Sequence, residues 1–260
     1  MKLTPNGIPI LELVEIGSTN AEAMRLGLAG AATPLWVRAE RQLAGRGRSG
    51  RNWTSEPGNH YASLLIRISC SPAVLHQLSF VAAVGAVAAL NAVAAARTPP
   101  LDARLKWPND ILIDGAKLVG ILPESTILPD KSVLAVIGIG INLSHAPEAP
   151  GRATTCLAAH GVNVAPAAML DALAVELSRA LRLWDSGSGF SAIRTAWLAR
   201  SLASGTAMSV HAGRDKIDGT FGGLDHDGAL ILRDHSGYDR RLTFGDVTVN
   251  AAERGQGTID

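Results

Sequence analysis

The chain has 260 residues, 47% hydrophobic and 18% charged, with 24 Lys and Arg against 23 Asp and Glu for a net charge of +1. That apolar content supplies a core and excludes wholesale disorder, while the charge balance excludes a protein that grips nucleic acid over its whole surface. Cys70 and Cys156 are the two cysteines, too few for a secreted disulfide scaffold, so a reducing cytoplasm fits.

The first residues, Met1 to Gly7, carry no apolar run of signal-peptide length. Leu11 to Ile16 reads as a strand, followed by a T-x-x-E capping box at Thr19-Asn20-Ala21-Glu22 that opens a helix stopping near Gly30. Leu35 to Arg41 and His60 to Ser69 read as strands around an arginine–glycine loop. Ser71-Pro72 starts a helix that can run to about Ala96, with Leu75, Leu78, Ala82, Gly85 and Ala89 on one face. Small residues there would let it lie close against a sheet. Its apolar part, Phe80 to Ala96, approaches the length of a membrane span but is mostly alanine, so it reads as a buried soluble helix.

Arg104 to Trp107 reads as a strand broken by Pro108-Asn109. Ile111 to Ile113 and Leu118 to Leu122 flank the hairpin turn Asp114-Gly115, and Val133 to Leu143 reads as a buried strand. Pro166 to Trp184 and Phe190 to Leu202 are helical patterns. Near Gly205 the texture changes to short β-type runs: 207–211, 219–224, 229–233, 241–244 and 247–250. This predicts a small β-barrel or sandwich with a boundary at Ser204, hence units 1–204 and 205–260.

From Arg41 to Arg51 there are four arginines and no acid. Glycines let backbone N–H groups approach a ligand, and arginine forks suit phosphate or carboxylate, so Gly45-Arg46-Gly47-Arg48-Ser49-Gly50-Arg51 reads as an anion-binding loop. It matches the letters G-x-G-x-x-G, but no helix follows it, and no Walker loop occurs in the chain, so both nucleotide signatures are rejected. A solvated basic loop or an RNA-binding patch remains open, although only Trp53 is near enough to interleave.

Lys106-Trp107-Pro108-Asn109-Asp110 places a cation, an amide and a carboxylate at one sheet edge. Lys106 can neutralise phosphate, Asn109 can bond a ribose or phosphate, and Asp110 can bind magnesium or take a proton. A surface turn with an internal ion pair is the alternative. Lys117 follows the hairpin turn, Ser18-Thr19-Asn20 clusters short polar groups, and Gly138-Ile139-Gly140-Ile141-Asn142 is a strand thinned by glycine, as where a ligand passes close by.

In chain order these pieces resemble the biotin–protein ligases: Gly17-Ser18-Thr19-Asn20; Gln42 through Trp53; Lys106 through Asp110; Lys117-Leu118-Val119-Gly120-Ile121-Leu122; and Gly138 through Asn142. The resemblance spans Leu11 to Asn250. It implies an α+β fold, a mixed β-sheet flanked by helices with a small C-terminal SH3-like β-barrel. About ten residues precede the first core strand, which leads us to expect the form without an N-terminal DNA-binding domain.

The resemblance also implies roles. Ser18, Thr19, Asn20, Gln42, Gly45, Arg46, Gly47, Arg48 and Lys117 would bind biotin. Arg48, Arg51, Trp53, Lys106, Asn109 and Asn142 would bind the nucleotide. Arg48, Lys106 and Asp110 would be catalytic, with Asp110 also a candidate magnesium ligand. The substrates would be biotin and ATP with magnesium, without a structural metal. The partner would be a biotin carboxyl carrier protein of a biotin-dependent carboxylase, in the cytoplasm, with neither DNA nor membrane and with homodimerisation open. A lipoate or octanoate ligase or transferase of the same fold is the alternative. Two departures stand out: His60 where leucine is common, and Pro123, expected to interrupt the strand after Leu122 where a glutamate-bearing strand usually continues.

Overall fold

The computed structural model describes residues 2–148, 151–213 and 215–249. Among these, eight strands form a first sheet: β1 (Lys2–Leu3), β2 (Pro9–Ile16), β3 (Leu35–Gln42), β4 (His60–Ile68), β5 (Arg104–Lys106), β6 (Asp110–Ile113), β7 (Ala116–Ile127) and β8 (Val133–Ile141). Their order is β1-β2-β3-β4-β8-β7-β6-β5. β2 pairs with β3 in parallel and the other neighbours are antiparallel, so the sheet is mixed. The helices are α1 (Thr19–Leu28), α2 (Leu78–Val93), α3 (Pro166–Trp184) and α4 (Phe190–Leu198).

The period-two alternation of β8 shows how the sheet is covered. Val133, Ala135, Ile137, Ile139 and Ile141 join the large core with residues of α2, α3 and α4. Leu134 and Val136 face the other way and pack with Ala23 of α1. Continuing along that second face, the next positions are Gly138 and Gly140. Side chains stop where the α1 packing stops, and the functional cleft opens there.

Several expected boundaries shift, each for a local reason. Ser18 caps α1, its Oγ accepting from Ala21 N at 3.5 Å, so the cap falls one residue before the Thr19 of the expected capping box. Glu22 then pairs with Arg25 at 2.7 Å instead of reaching back. Ser71 caps a 3₁₀ turn over Pro72–Gln77, and the α-helix proper starts at Leu78. Gln77 Oε1 accepts from Trp184 Nε1 at 2.7 Å and fixes that turn against α3. Gly85 serves a crossing with α3 rather than with the sheet: an added Cβ would lie 2.9 Å from Leu177 Cα. Residues 72–93 are long and apolar enough to cross a membrane, but 61% of their most apolar stretch is buried in the fold. α4 stops at Leu198 rather than Leu202 because the chain beyond it runs along β5, where Leu105 N donates to Arg200 O at 2.8 Å and Leu202 N donates to Leu105 O at 3.2 Å.

Pro123 does not end β7, which continues to Ile127 in register with β8. Ile121 N points to the β6 side, donating to Asn109 O at 3.1 Å. The proline nitrogen two residues on faces the same side, beyond the reach of β6, so its missing N–H leaves no partner unmet. Glu124 therefore stands on the continuing strand. The Asp114-Gly115 turn forms as expected, with φ of 51° and 76°.

Beyond Gly205, five antiparallel strands, β9 (Ala207–Ala212), β10 (Asp215–Leu224), β11 (Leu230–Arg233), β12 (Asp239–Leu242) and β13 (Asp246–Val249), lie in the order β12-β11-β10-β9-β13. This is consistent with an SH3-like unit. β10 starts earlier than the expected run at Gly219, and β12 precedes the run expected at Arg241 to Phe244. Asn250 and residues 251–260 lie outside the described residues. The core continues between the sheets through Phe80, Trp197 and Phe221, with ring centroids 5.7 and 6.4 Å apart.

Candidate active site

Three levels along β7 and β8 build the site. At the first, Leu122 pairs with Gly138 and the Asn20 side chain rests on the bare Gly138 Cα. Asn20 Nδ2 donates to Leu122 O at 3.0 Å and to Glu124 Oε2 at 2.7 Å, and Ser63 Oγ donates to Asn20 Oδ1 at 2.6 Å. Thr19 donates to Gln42 Oε1 through its backbone N at 2.9 Å and its hydroxyl at 3.0 Å, and Gln42 Nε2 donates to Ser55 Oγ at 2.9 Å. This end is a set of short neutral donors and acceptors, with the Glu124 carboxylate behind Asn20. At the second level Gly120 pairs with Gly140, and the Trp53 indole covers both. A Cβ at Gly120 or Gly140 would lie 2.7 or 2.6 Å from its ring atoms.

The third level carries charge. Asp110 sits between two ammonium groups, Lys117 Nζ at 2.5 Å and Lys106 Nζ at 3.0 Å. Burial pushes the Asp110 carboxyl up, but Lys117 and Lys106 outweigh it and hold it below the usual carboxylate range. Burial draws Lys117 below its ordinary value despite the Asp110 charge. Lys117 Nζ also lies 5.2 Å from the Trp53 ring centroid. Asn142 Nδ2 donates to Thr155 O at 3.0 Å, while its buried Oδ1 has no partner among the described residues. Asn109 Nδ2 donates to Ile121 O at 2.5 Å.

The arginine loop folds over this floor as a narrow hairpin. Gly47 N donates to Arg51 O at 2.7 Å and Trp53 N donates to Gly45 O at 2.9 Å. Arg46 reaches Glu124 at 3.3 Å. Arg48 and Arg51 face the second sheet, where Arg51 Nη2 donates to Asp246 Oδ1 at 2.7 Å. Burial draws the Arg48 guanidinium down from its ordinary value, and Asp246 opposes that shift.

The cavity is about 360 Å³. Ser18, Thr19, Asn20 and Gln42 line it, as do Arg46, Gly47, Arg48, Arg51 and Trp53 of the loop, and Asn109, Asp110, Lys117 and Asn142. Two expected residues do not. Gly45 is a packing position, where a Cβ would lie 2.7 Å from Ser55 Oγ. Lys106 stands behind Asp110 and donates to Val247 O at 3.0 Å. Tyr61, Asn52, Arg152 and Thr154 line the cavity without having been anticipated. Tyr61 shares a face of β4 with Ser63, so strand alternation signals it. Arg152 arrives from the loop after β8 with no sequence signal. Within the 106–110 run, Trp107 turns away and donates to Gly228 O at 3.1 Å.

Asp110 Oδ2 faces Lys106 and Oδ1 faces Lys117, although Oδ1 makes no hydrogen bond of good geometry among the described residues. The site as built is one for anions.

Residues 15–142 match the model of the biotin/lipoate A/B protein ligase family. A biotin--[acetyl-CoA-carboxylase] ligase of Paracoccus denitrificans is 41% identical over 234 residues, 86% of this chain and 94% of that protein. The bifunctional ligase/repressor BirA of Bacillus subtilis is 32% identical over 86% of this chain and 69% of its own length. Among solved structures, the biotin protein ligase of Aquifex aeolicus in complex with biotin and ATP superposes with a TM-score of 0.76 at 25% identity, covering 93% of this chain and 99% of that one.

Proposed function

This chain belongs to the biotin/lipoate A/B protein ligase family, and from that premise we propose how its residues carry the reaction. The protein is an ATP-dependent biotin–protein ligase. Biotin carboxylate attacks the α-phosphorus of ATP, pyrophosphate leaves, and biotinyl-5′-AMP forms. A lysine amine of the acceptor then attacks the activated carbonyl and AMP leaves. The acceptor is a carrier domain of a biotin-dependent carboxylase, in line with the Paracoccus relative's name. A cytoplasmic setting agrees with two free thiols, Cys70 and Cys156.

One observation carries the assignment of roles: a neutral polar end at Gly138, an indole at Gly140 and a cationic end at Lys117 share one cavity. A urea must have its hydrogen bonds met when buried, which suits Ser18, Thr19, Asn20 and Gln42. The tail would pass Trp53 toward Lys117. Two anions brought within about 4 Å repel by about 4 kcal/mol at an effective dielectric near 20. Arg48, Arg51, Lys106 and Lys117 offset that repulsion, and Arg46 closes the loop over the adenylate to shield it from water. Asn109 and Asn142 face the nucleotide, Asn142 Oδ1 being a buried acceptor in want of a donor.

Asp110 was open as base or metal ligand. Its lowered pKa makes it a poor base at neutral pH, and an ammonium group stands at each oxygen, so we assign it to hold Lys106 and Lys117 in place and charged. Magnesium enters with ATP as part of that substrate.

The test is biotin-dependent exchange of labelled pyrophosphate into ATP, followed by transfer of labelled biotin to one lysine of a carrier domain. Exchange supported by lipoate or octanoate and not by biotin would overturn the assignment.

A further inference from the structure

Two arginines of the cleft and the lysine behind it are held by the second sheet. Arg51 Nη2 donates to Asp246 Oδ1 at 2.7 Å. Arg48 Nη2 donates to the Gly245 carbonyl at 3.2 Å, with Nη1 3.8 Å from Asp246 Oδ1. Lys106 Nζ donates to the Val247 carbonyl at 3.0 Å. The acceptors are three consecutive residues at the entry to β13. Gly245 has φ +143°, and a Cβ there would lie 2.7 Å from Val210 Cγ1, so only glycine lets the turn pass this close to β9 and bring the Asp246 carboxylate to the loop.

We propose that Asp246 is a positioning residue for the nucleotide, holding the Arg51 and Arg48 guanidiniums, with the flanking carbonyls, where the triphosphate of ATP is received. This rests on the reading of those arginines as nucleotide ligands. A guanidinium has five N–H donors. Arg51 uses Nε on the Arg48 carbonyl at 3.2 Å and Nη2 on Asp246, which leaves Nη1 for phosphate. The carboxylate can therefore stay while ATP binds. Fixing an arginine costs rotamer entropy, and Asp246 has the side chain ordered before the ligand arrives. The benefit falls on ATP affinity and not on biotin.

The full chain is assayed by biotin-dependent ATP–pyrophosphate exchange. Asp246→Asn should raise the KM for ATP about tenfold, the loss typical when the supporting partner of a ligand-binding group is removed. The KM for biotin and kcat at saturating ATP should hold, and Asp246→Glu should restore part of the loss. In an Arg51→Gln background, Asp246→Asn should add less than it costs the wild type, because most of its effect runs through the closer of the two arginines. An unchanged KM for ATP, or equal rises in both KM values, would reduce Asp246 to a structural contact and overturn the proposal. A lowered KM for ATP would overturn it too, marking the carboxylate as a competitor of phosphate. A wild-type chain without exchange overturns the ligase reading itself, a result seen before any variant is made.

Discussion

The Trp53 indole rests on the Cα of Gly140, close enough that a Cβ there would lie 2.6 Å from Nε1. Gly140→Ala must displace the ring, since the backbone of β8 is fixed by pairing on both sides. Adenylate formation should fall by an order of magnitude or more while the fold persists, because Trp53 walls the passage between the two ends of the cavity. Tryptophan fluorescence, read against a Trp53→Phe control, reports whether the ring has moved. Full activity with an unmoved ring would refute this.

Arg46 and Glu124 join the loop to β7 across a half-exposed ion pair at 3.3 Å. Such a pair contributes at most about 1 kcal/mol, so Glu124→Ala should speed tryptic cleavage within Gly45–Arg51 by no more than about fivefold. Biotin and ATP together should slow that cleavage in the wild type by ordering the loop. Equal rates with and without ligands would remove the loop-closure step.

Removing the Asp110 charge leaves two lysines at a buried site. Asp110→Asn should cost about 3–5 kcal/mol of stability, seen as an earlier denaturation midpoint. Lys106→Ala acts on the reaction instead, with turnover down on the order of a hundredfold and biotin affinity kept, checked by pairing kinetics with calorimetric titration. Parallel losses of biotin affinity and turnover would contradict the division of roles.

His60 is fully buried, its Nδ1 3.4 Å from Pro166 O, and burial lowers its pKa from 6.5 to about 4, with Arg38 adding to the fall. Above pH 6.5 the ring is neutral both folded and unfolded and contributes nothing to pH dependence. Between 6.5 and about 4 the unfolded chain binds a proton that the folded chain refuses, so stability falls as pH falls, by up to about 3 kcal/mol. His60→Leu should flatten that part of the curve, measured by chemical denaturation at several pH values. An equally steep curve would clear His60.

The fold was legible wherever period and punctuation agreed. The alternation of β8, the Asp114-Gly115 turn and the apolar stripe of α3 are local patterns, and each forms where it is expected. What stayed hidden depends on neighbours distant in sequence. The passage of β7 through Pro123 is decided by how far β6 reaches, and the end of α4 by the free edge of β5. In the site, the clustering of Ser18, Gln42, Arg48, Lys117 and Asn142 was readable from the resemblance of the ordered motifs to a family, since taken alone Ser18 reads as a helix cap and Lys117 as a lysine after a hairpin. Asp246 was not: a lone aspartate after a glycine in a β-rich stretch has no pattern, and only the packing of one sheet on the other sets it against Arg51.

Trp197 is wedged between a ring of α2, which it meets edge-on, and a tilted ring of β10. Cutting the chain after residue 204 would strip one side of that aromatic stack and bare a greasy face on the remaining piece. The excised fragment should therefore clump, and the intact chain should melt in a single calorimetric peak rather than two.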